Sequence, residues 1–260
     1  NTLIVWLFGR QVGPYMNALH LSFGVGALLS PMLADRIMIA TGGIRWVYWT
    51  LAILVLPVII WLMRKTSPVR PIDETESSED SPQRSYSLLI LMISALFFMH
   101  VGTELGFGSW IFSYAAAVDI GPDTLARLLN TIYWGGFTLG RLISVPLSIK
   151  LRPQTMLFVD LLGAVTSIGI ALVFRTWQPS IWIATFGLGL SIASMVPSTL
   201  NFAERRMPIS GRVTSFFLVG GNAGSMILPW LIGQMFETSG PQSMLLVLAV
   251  AMGLALLLFL

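Results

Sequence analysis

Eight apolar stretches, each long enough to cross a bilayer, follow one another along the chain at residues 14–39, 45–63, 86–117, 123–149, 154–174, 179–204, 212–236 and 241–260. One crossing takes roughly 20 apolar residues as a helix. An open strand in lipid would leave its backbone N–H and C=O groups unpaired, so each stretch is expected to be an α-helix. The glycines and prolines inside them are tolerated because neighbouring helices re-satisfy the backbone. Residues 1–8 read as the end of a further helix. Only 10% of the residues are charged and 55% are hydrophobic, against about a quarter charged in a soluble domain. The chain is therefore expected to be an all-α polytopic membrane protein. Its composition excludes a disordered chain, a nucleic-acid partner and almost any soluble enzyme.

The charges set the orientation. The loops alternate sides, and one side holds Arg10, Arg64, Lys65, Arg70, Arg84, Lys150, Arg152, Arg205, Arg206 and Arg212. The other holds Arg36, Arg45, Arg127 and Arg175, while Arg141 lies inside a stretch. The basic side is expected to face the cytoplasm. The longest loop, residues 64–84, lies there. It carries Asp73, Glu74, Glu76, Glu79 and Asp80 between two Ser-Pro pairs, which reads as a solvated tether. The chain has no cysteine, so disulfides and thiol chemistry are absent from it. It begins at Asn1 and ends inside an apolar run, which reads as an internal piece of a longer protein.

A repeat supplies the organisation. Gly13, Gly26 and Pro31 recur as Gly211, Gly224 and Pro229 at an offset of 198 residues. The stretch at 45–63 shifts by the same offset onto the last one, and the acidic tether falls between the two copies. The pattern predicts two parallel halves of six helices, a design found in transporters. Residues 1–63 would end the first half, 64–84 would form the linker and 85–260 the complete second half. The first half would then be truncated, with about 110 residues lying upstream of Asn1.

Polar groups within the spans mark the chemistry, because a charge at mid-bilayer costs about 2.5–3.5 kcal/mol on insertion scales. In residues 99–110, His100 and Glu104 stand four apart and share a helical face. Glu104 either binds a solute or cation, or makes a structural hydrogen bond to a neighbouring helix. In residues 130–141, Asn130 and Trp134 are one turn apart. An amide for hydroxyls and an indole face for C–H groups suit a polyol, although the indole also packs well without one. Gly136 and Gly140 form a small-xxx-small pair for close helix approach. Asn222, between Gly221 and Gly224, is another intramembrane amide; His20 and Asp160 carry weaker signals. At the cytoplasmic ends, an Arg141–Glu204 ion pair is expected to latch a gate, although topology signals alone would also place arginines there.

No phosphate loop, His-Glu-x-x-His pattern or Gly-x-Ser-x-Gly elbow occurs. Two histidines without cysteine build no strong metal site. An enzyme is not expected, and no cofactor beyond a coupling ion, H+ or Na+.

The chain as a whole resembles the major facilitator superfamily, through the six-plus-six pattern, the acidic central loop and Gly140-Arg141 before a short basic loop. Lys150-Leu151-Arg152-Pro153 lacks the acidic residue and second glycine usual in that loop. Glu204, Pro208 and Arg212 resemble the Glu/Arg element of sugar porters. Residues 101–110 and 132–141 are similar to consecutive helices of the fucose–proton symporter family. Residues 17–24 with Gly26-Ala27 look like the related sodium-dependent glucose transporter branch. His20 stands where an amide contacts sugar in the fucose symporters.

The resemblance implies a major facilitator fold and a cation-coupled sugar symporter working by alternating access. Glu104, Asn130, Trp134, Asn222, His20 and His100 would line the solute, with Arg141 and Glu204 at the gate. A sugar-like solute and the lipid bilayer are the expected partners, and a monomer in the plasma or bacterial inner membrane the expected state. An exporter of drugs or metabolites on the same fold and a transport-dead solute receptor remain as other readings.

Overall fold

Helix is the regular structure throughout residues 12–65, 86–207 and 209–260, which the computed structural model describes. The chain divides into two compact units, residues 1–80 and 81–260. The segment 1–8 and nearly all of the 64–84 tether lie outside the described residues, as does Pro208.

The first unit contains α1 (Val12–Thr41) and α2 (Ile44–Met63), packed on each other. Gly42 separates them at φ 71°, a left-handed position that ends α1 without a Cβ penalty. Its N–H bonds the Met38 carbonyl at 2.8 Å. Nearly every side chain from Leu51 to Leu62 is exposed within this unit. A helix apolar all round is stable only against lipid or other protein.

The second unit contains α3 (Ser87–Ala117), α4 (Asp123–Lys150), α5 (Pro153–Val173), α6 (Pro179–Ile192), α7 (Met195–Glu204), α8 (Gly211–Ser239) and α9 (Gln242–Phe259). The starts follow local rules. Pro153 and Pro179 sit in the first turns of α5 and α6, where the missing N–H costs nothing. The Ser210 hydroxyl caps α8 by accepting from the Val213 N–H at 3.3 Å. Asp123 opens α4 and Lys150 closes it, each complementing the helix dipole.

The expected boundaries shift by at most three residues, with one correction. The stretch at 179–204 is two helices, α6 and α7, broken at Ala193–Ser194. Pro197 is four residues beyond Ala193; it has no N–H for the Ala193 carbonyl, and its ring crowds that oxygen. Together the two pieces make one membrane-length segment, Pro179–Glu204.

Seven of the described helical segments are long and apolar enough to cross a membrane by length and composition; α4 is not among them. At 28 residues it has the length. Asn130, Thr131, Tyr133, Thr138 and Arg141 lower its hydropathy, so the least apolar span is the one richest in site candidates.

The centre of the unit is α3, which packs on α4, α7, α8 and α9, most extensively on α8. Small residues bring these helices together, as expected where lipid supplies no hydrophobic drive between them. A Cβ on Gly220 or Gly224 would strike the Ser94 or Phe98 carbonyl of α3. Gly136 and Gly140 of α4 lie against the Phe186 and Leu190 carbonyls of α6. The small-xxx-small pair is thus a packing seam. The largest core side chains, Phe107, Tyr133 and Phe137, fill the space around α3 and α4.

Candidate solute site on α3 and α4

Packing decides which way α3 turns its polar face. Gly102 abuts Leu228 and the Gly224 carbonyl of α8, and Gly106 faces Leu248 and Ile232. Gly108 meets Trp134 and Tyr133 of α4. With its glycines committed to these contacts, α3 buries His100, Thr103 and Glu104.

Glu104 is only 8% exposed. Among the described residues, no ion pair at contact distance and no side-chain hydrogen bond engages its carboxylate. The cation whose field reaches it is Arg141 of α4. The Tyr133 hydroxyl donates to the Glu104 backbone carbonyl at 2.9 Å and pins α4 to this turn of α3. Its ring packs on Phe107 with centroids 4.9 Å apart.

Asn130 donates from Nδ2 to the Gly108 carbonyl at 3.3 Å. Its Oδ1 is buried with no hydrogen-bond partner. An acceptor left over in the membrane interior suits a hydroxyl-rich solute. Trp134 is half-buried; its ring meets Tyr133 and Phe137 edge-on, with centroids 5.1 and 5.4 Å away. Arg141 lies over the Phe137 ring at 4.7 Å, and its buried Nε has no partner.

Glu104, Asn130, Trp134 and Arg141 thus belong to one α3–α4 group. His100 adjoins it on α3; its ring packs on Phe97 at 4.9 Å and hydrogen-bonds the Leu96 carbonyl, while Nε2 is buried without a partner. Asn222 is exposed on α8 and is not hydrogen-bonded to the group. His20 belongs to α1, and its side chain lies outside the described residues.

The expected Arg141–Glu204 latch is not formed. Glu204 is exposed at the end of α7, while Arg141 turns toward Phe137 and the field of Glu104. Helical rotation decides this: Arg141 follows the face of α4 that Phe137 and Thr138 bury.

Two residues of the site were not singled out as chemistry. Thr103 is fully buried with an unpartnered hydroxyl, and its spacing of three from His100 was the available signal. Tyr133 is the other, and no sequence signal distinguishes a phenol that packs from one that pins a backbone. Among the described residues no group of three or more His, Asp or Glu is placed to hold a metal.

Residues 1–208 match the family model described as Major Facilitator Superfamily. Sodium-dependent glucose transporter 1A of Mus musculus is 29% identical over 270 residues, covering 90% of this chain and 63% of its own. Sodium-dependent glucose transporter 1 of Homo sapiens is 28% identical over 270 residues, covering 90% and 52%. Major facilitator superfamily domain-containing protein 4A of Homo sapiens is 31% identical over 163 residues, 62% of this chain and 32% of its own. The crystal structure of a Major Facilitator Superfamily transporter, FucP, in the outward conformation superimposes with a TM-score of 0.57. It is 17% identical, over 83% of this chain and 54% of that one, a likeness of fold alone. The chain thus spans only about half to under two thirds of the glucose transporters it matches. With a family match across residues 1–208 and this arrangement of membrane-length helices, the chain is a multi-pass membrane protein that belongs to the Major Facilitator Superfamily.

Proposed function

We propose that the protein is a secondary active transporter that couples entry of a sugar to a cation, H+ or Na+, by alternating access. The observation that carries this reading is the α3–α4 group. It sets a buried carboxylate without an ion pair in contact, a spare amide oxygen and a half-buried indole on two adjoining helices. Glu104 accepts solute hydroxyls, or takes up the coupling proton. Asn130 Oδ1 accepts a further hydroxyl, and the Trp134 ring packs on the C–H face of the sugar. His100 and Asn222 extend the lining from α3 and α8. Arg141 holds the charge balance of the site and opposes Glu104 whenever that carboxylate is ionised. Support for a sugar comes from the relatives named as sodium-dependent glucose transporters.

The test uses the intact gene product in liposomes, with a hexose and deoxyhexose panel under an imposed H+ or Na+ gradient. Uptake driven by one gradient is expected and names the ion. Folded protein that moves no sugar under either gradient overturns the reading and favours an exporter or a receptor.

A further inference from the structure

A second intramembrane carboxylate lies outside the solute site. Asp160 is the eighth residue of α5, roughly 10 Å along the axis from the first. Its Oδ2 accepts a hydrogen bond of 2.6 Å from the hydroxyl of Ser194, which is itself only 5% exposed. Ser194 occupies the break between α6 and α7.

Three observations make this more than a packing contact. First, among the described residues no cation stands beside Asp160. Of the helices packed on α5, α6 and α9 contain no titratable side chain. On α7 the only one is Glu204, exposed at the far end and like-charged. Asp160 is the one titratable residue of α5 itself, with Arg152 just before the helix begins. An unpaired carboxylate among apolar helices is costly when charged, and a bound proton removes that cost. One carboxylate and one hydroxyl suffice for a proton, whereas a metal cation needs more oxygen ligands.

Second, Ser194 is the residue before α7, but its side chain makes no cap bond to α7 and its backbone stays helical at φ −97°, ψ −3°. The hydroxyl that would ordinarily cap α7 reaches across to α5 instead.

Third, the contact stands at the end of a close seam. The Ser191 hydroxyl lies against Gly163, and the Ser167 hydroxyl against Gly187. These contacts hold α6 on α5. Beyond the break, Asp160–Ser194 is the hydrogen bond that ties the start of α7 to α5.

We propose that Asp160 is a proton-binding site, and that its protonation loosens Ser194 and lets α7 swing about the break at Ala193–Ser194. The proton adds to a carboxylate oxygen and no other bond is made or broken covalently. The Ser194 hydroxyl then donates to a neutral acceptor, a bond about half as strong as one to a charged group. The site depends on the membrane fold and not on the sugar reading, so either fails without the other.

The test reads the proton and the helix without measuring transport. In liposomes holding the intact protein, infrared spectra are titrated with pH for wild type, Asp160→Asn and Ser194→Ala. Spin labels at Gln154→Cys and Asn201→Cys, both exposed positions, report the distance from α5 to α7. Wild type is expected to show a protonated-acid band that Asp160→Asn removes, with the distance changing over the same pH range. Asp160→Asn should hold the low-pH distance at every pH. Ser194→Ala should move the band's midpoint up by about one pH unit, because the charged form loses its donor. A missing band, or a distance indifferent to pH while the band titrates, overturns the proposal. If Asp160→Asn does not fold, an unmoved midpoint in Ser194→Ala overturns it alone.

Discussion

The Tyr133 phenol reaches the backbone carbonyl of Glu104 at 2.9 Å, so the turn of α3 that bears the buried carboxylate is held from α4 by a side chain with no charge of its own. Tyr133→Phe keeps the packing on Phe107 and deletes only this bond. It should lower stability by about 1 kcal/mol, read as earlier thermal unfolding in detergent. An unchanged unfolding curve would show that the bond holds nothing.

Glu104→Gln keeps the shape and removes the charge. Gradient-driven uptake should fall to background while expression and folding persist. Any residual uptake should lose the part of its pH dependence that Glu104 supplies, because the amide cannot take up a proton. Transport like wild type at every pH would remove Glu104 from the site.

The two indoles in the region are placed for different work. Trp110 donates from Nε1 to the Pro229 carbonyl at 3.0 Å and packs on Phe236, which commits it to α8. Trp134→Ala should therefore raise the half-saturating sugar concentration more than Trp110→Ala does. Trp110→Ala should instead destabilise the fold by about 3 kcal/mol. Equal shifts in half-saturation, measured by uptake, would mean the wrong indole was assigned to sugar.

A close-packing prediction separates glycines by what lies above them. At Gly224 an added methyl meets the Phe98 backbone, which cannot step aside, whereas at Gly253 it meets nothing within 4 Å. Gly224→Ala should cost about 1–3 kcal/mol and Gly253→Ala nothing measurable, both followed by thermal unfolding.

Span positions were legible in the sequence because apolar length is a local property, and α3, for instance, differs from its expected range by one residue. The break at Ala193–Ser194 was not. Pro31, Pro57, Pro146 and Pro229 lie inside continuous helices of the same chain, so a proline in an apolar run does not by itself reveal an interruption. Helical spacing paired Asn130 with Trp134 and His100 with Glu104, each within one helix, but joining the two pairs depended on the family resemblance. The separation of Arg141 from Glu204 depends on how α4 rotates against α6, which Gly136 and Gly140 settle through contacts remote in sequence. Asp160 looked weak for a similar reason: its partner is 34 residues away on a turn that no local pattern marks.

The polarity of α4 bears on how the protein is made. Each helix leaving the ribosome is tested by the insertion machinery for its preference for lipid, and an arginine near the middle of a span weighs about 2.5–3.5 kcal/mol against release. Arg141, with Asn130 about three turns earlier on the same helix, makes α4 a poor passenger alone. α3 precedes it and offers Tyr133 a carbonyl and Asn130 another, so the two helices are suited to enter the bilayer as a pair. The residues that equip α4 to meet a sugar therefore also make its biogenesis depend on a neighbour.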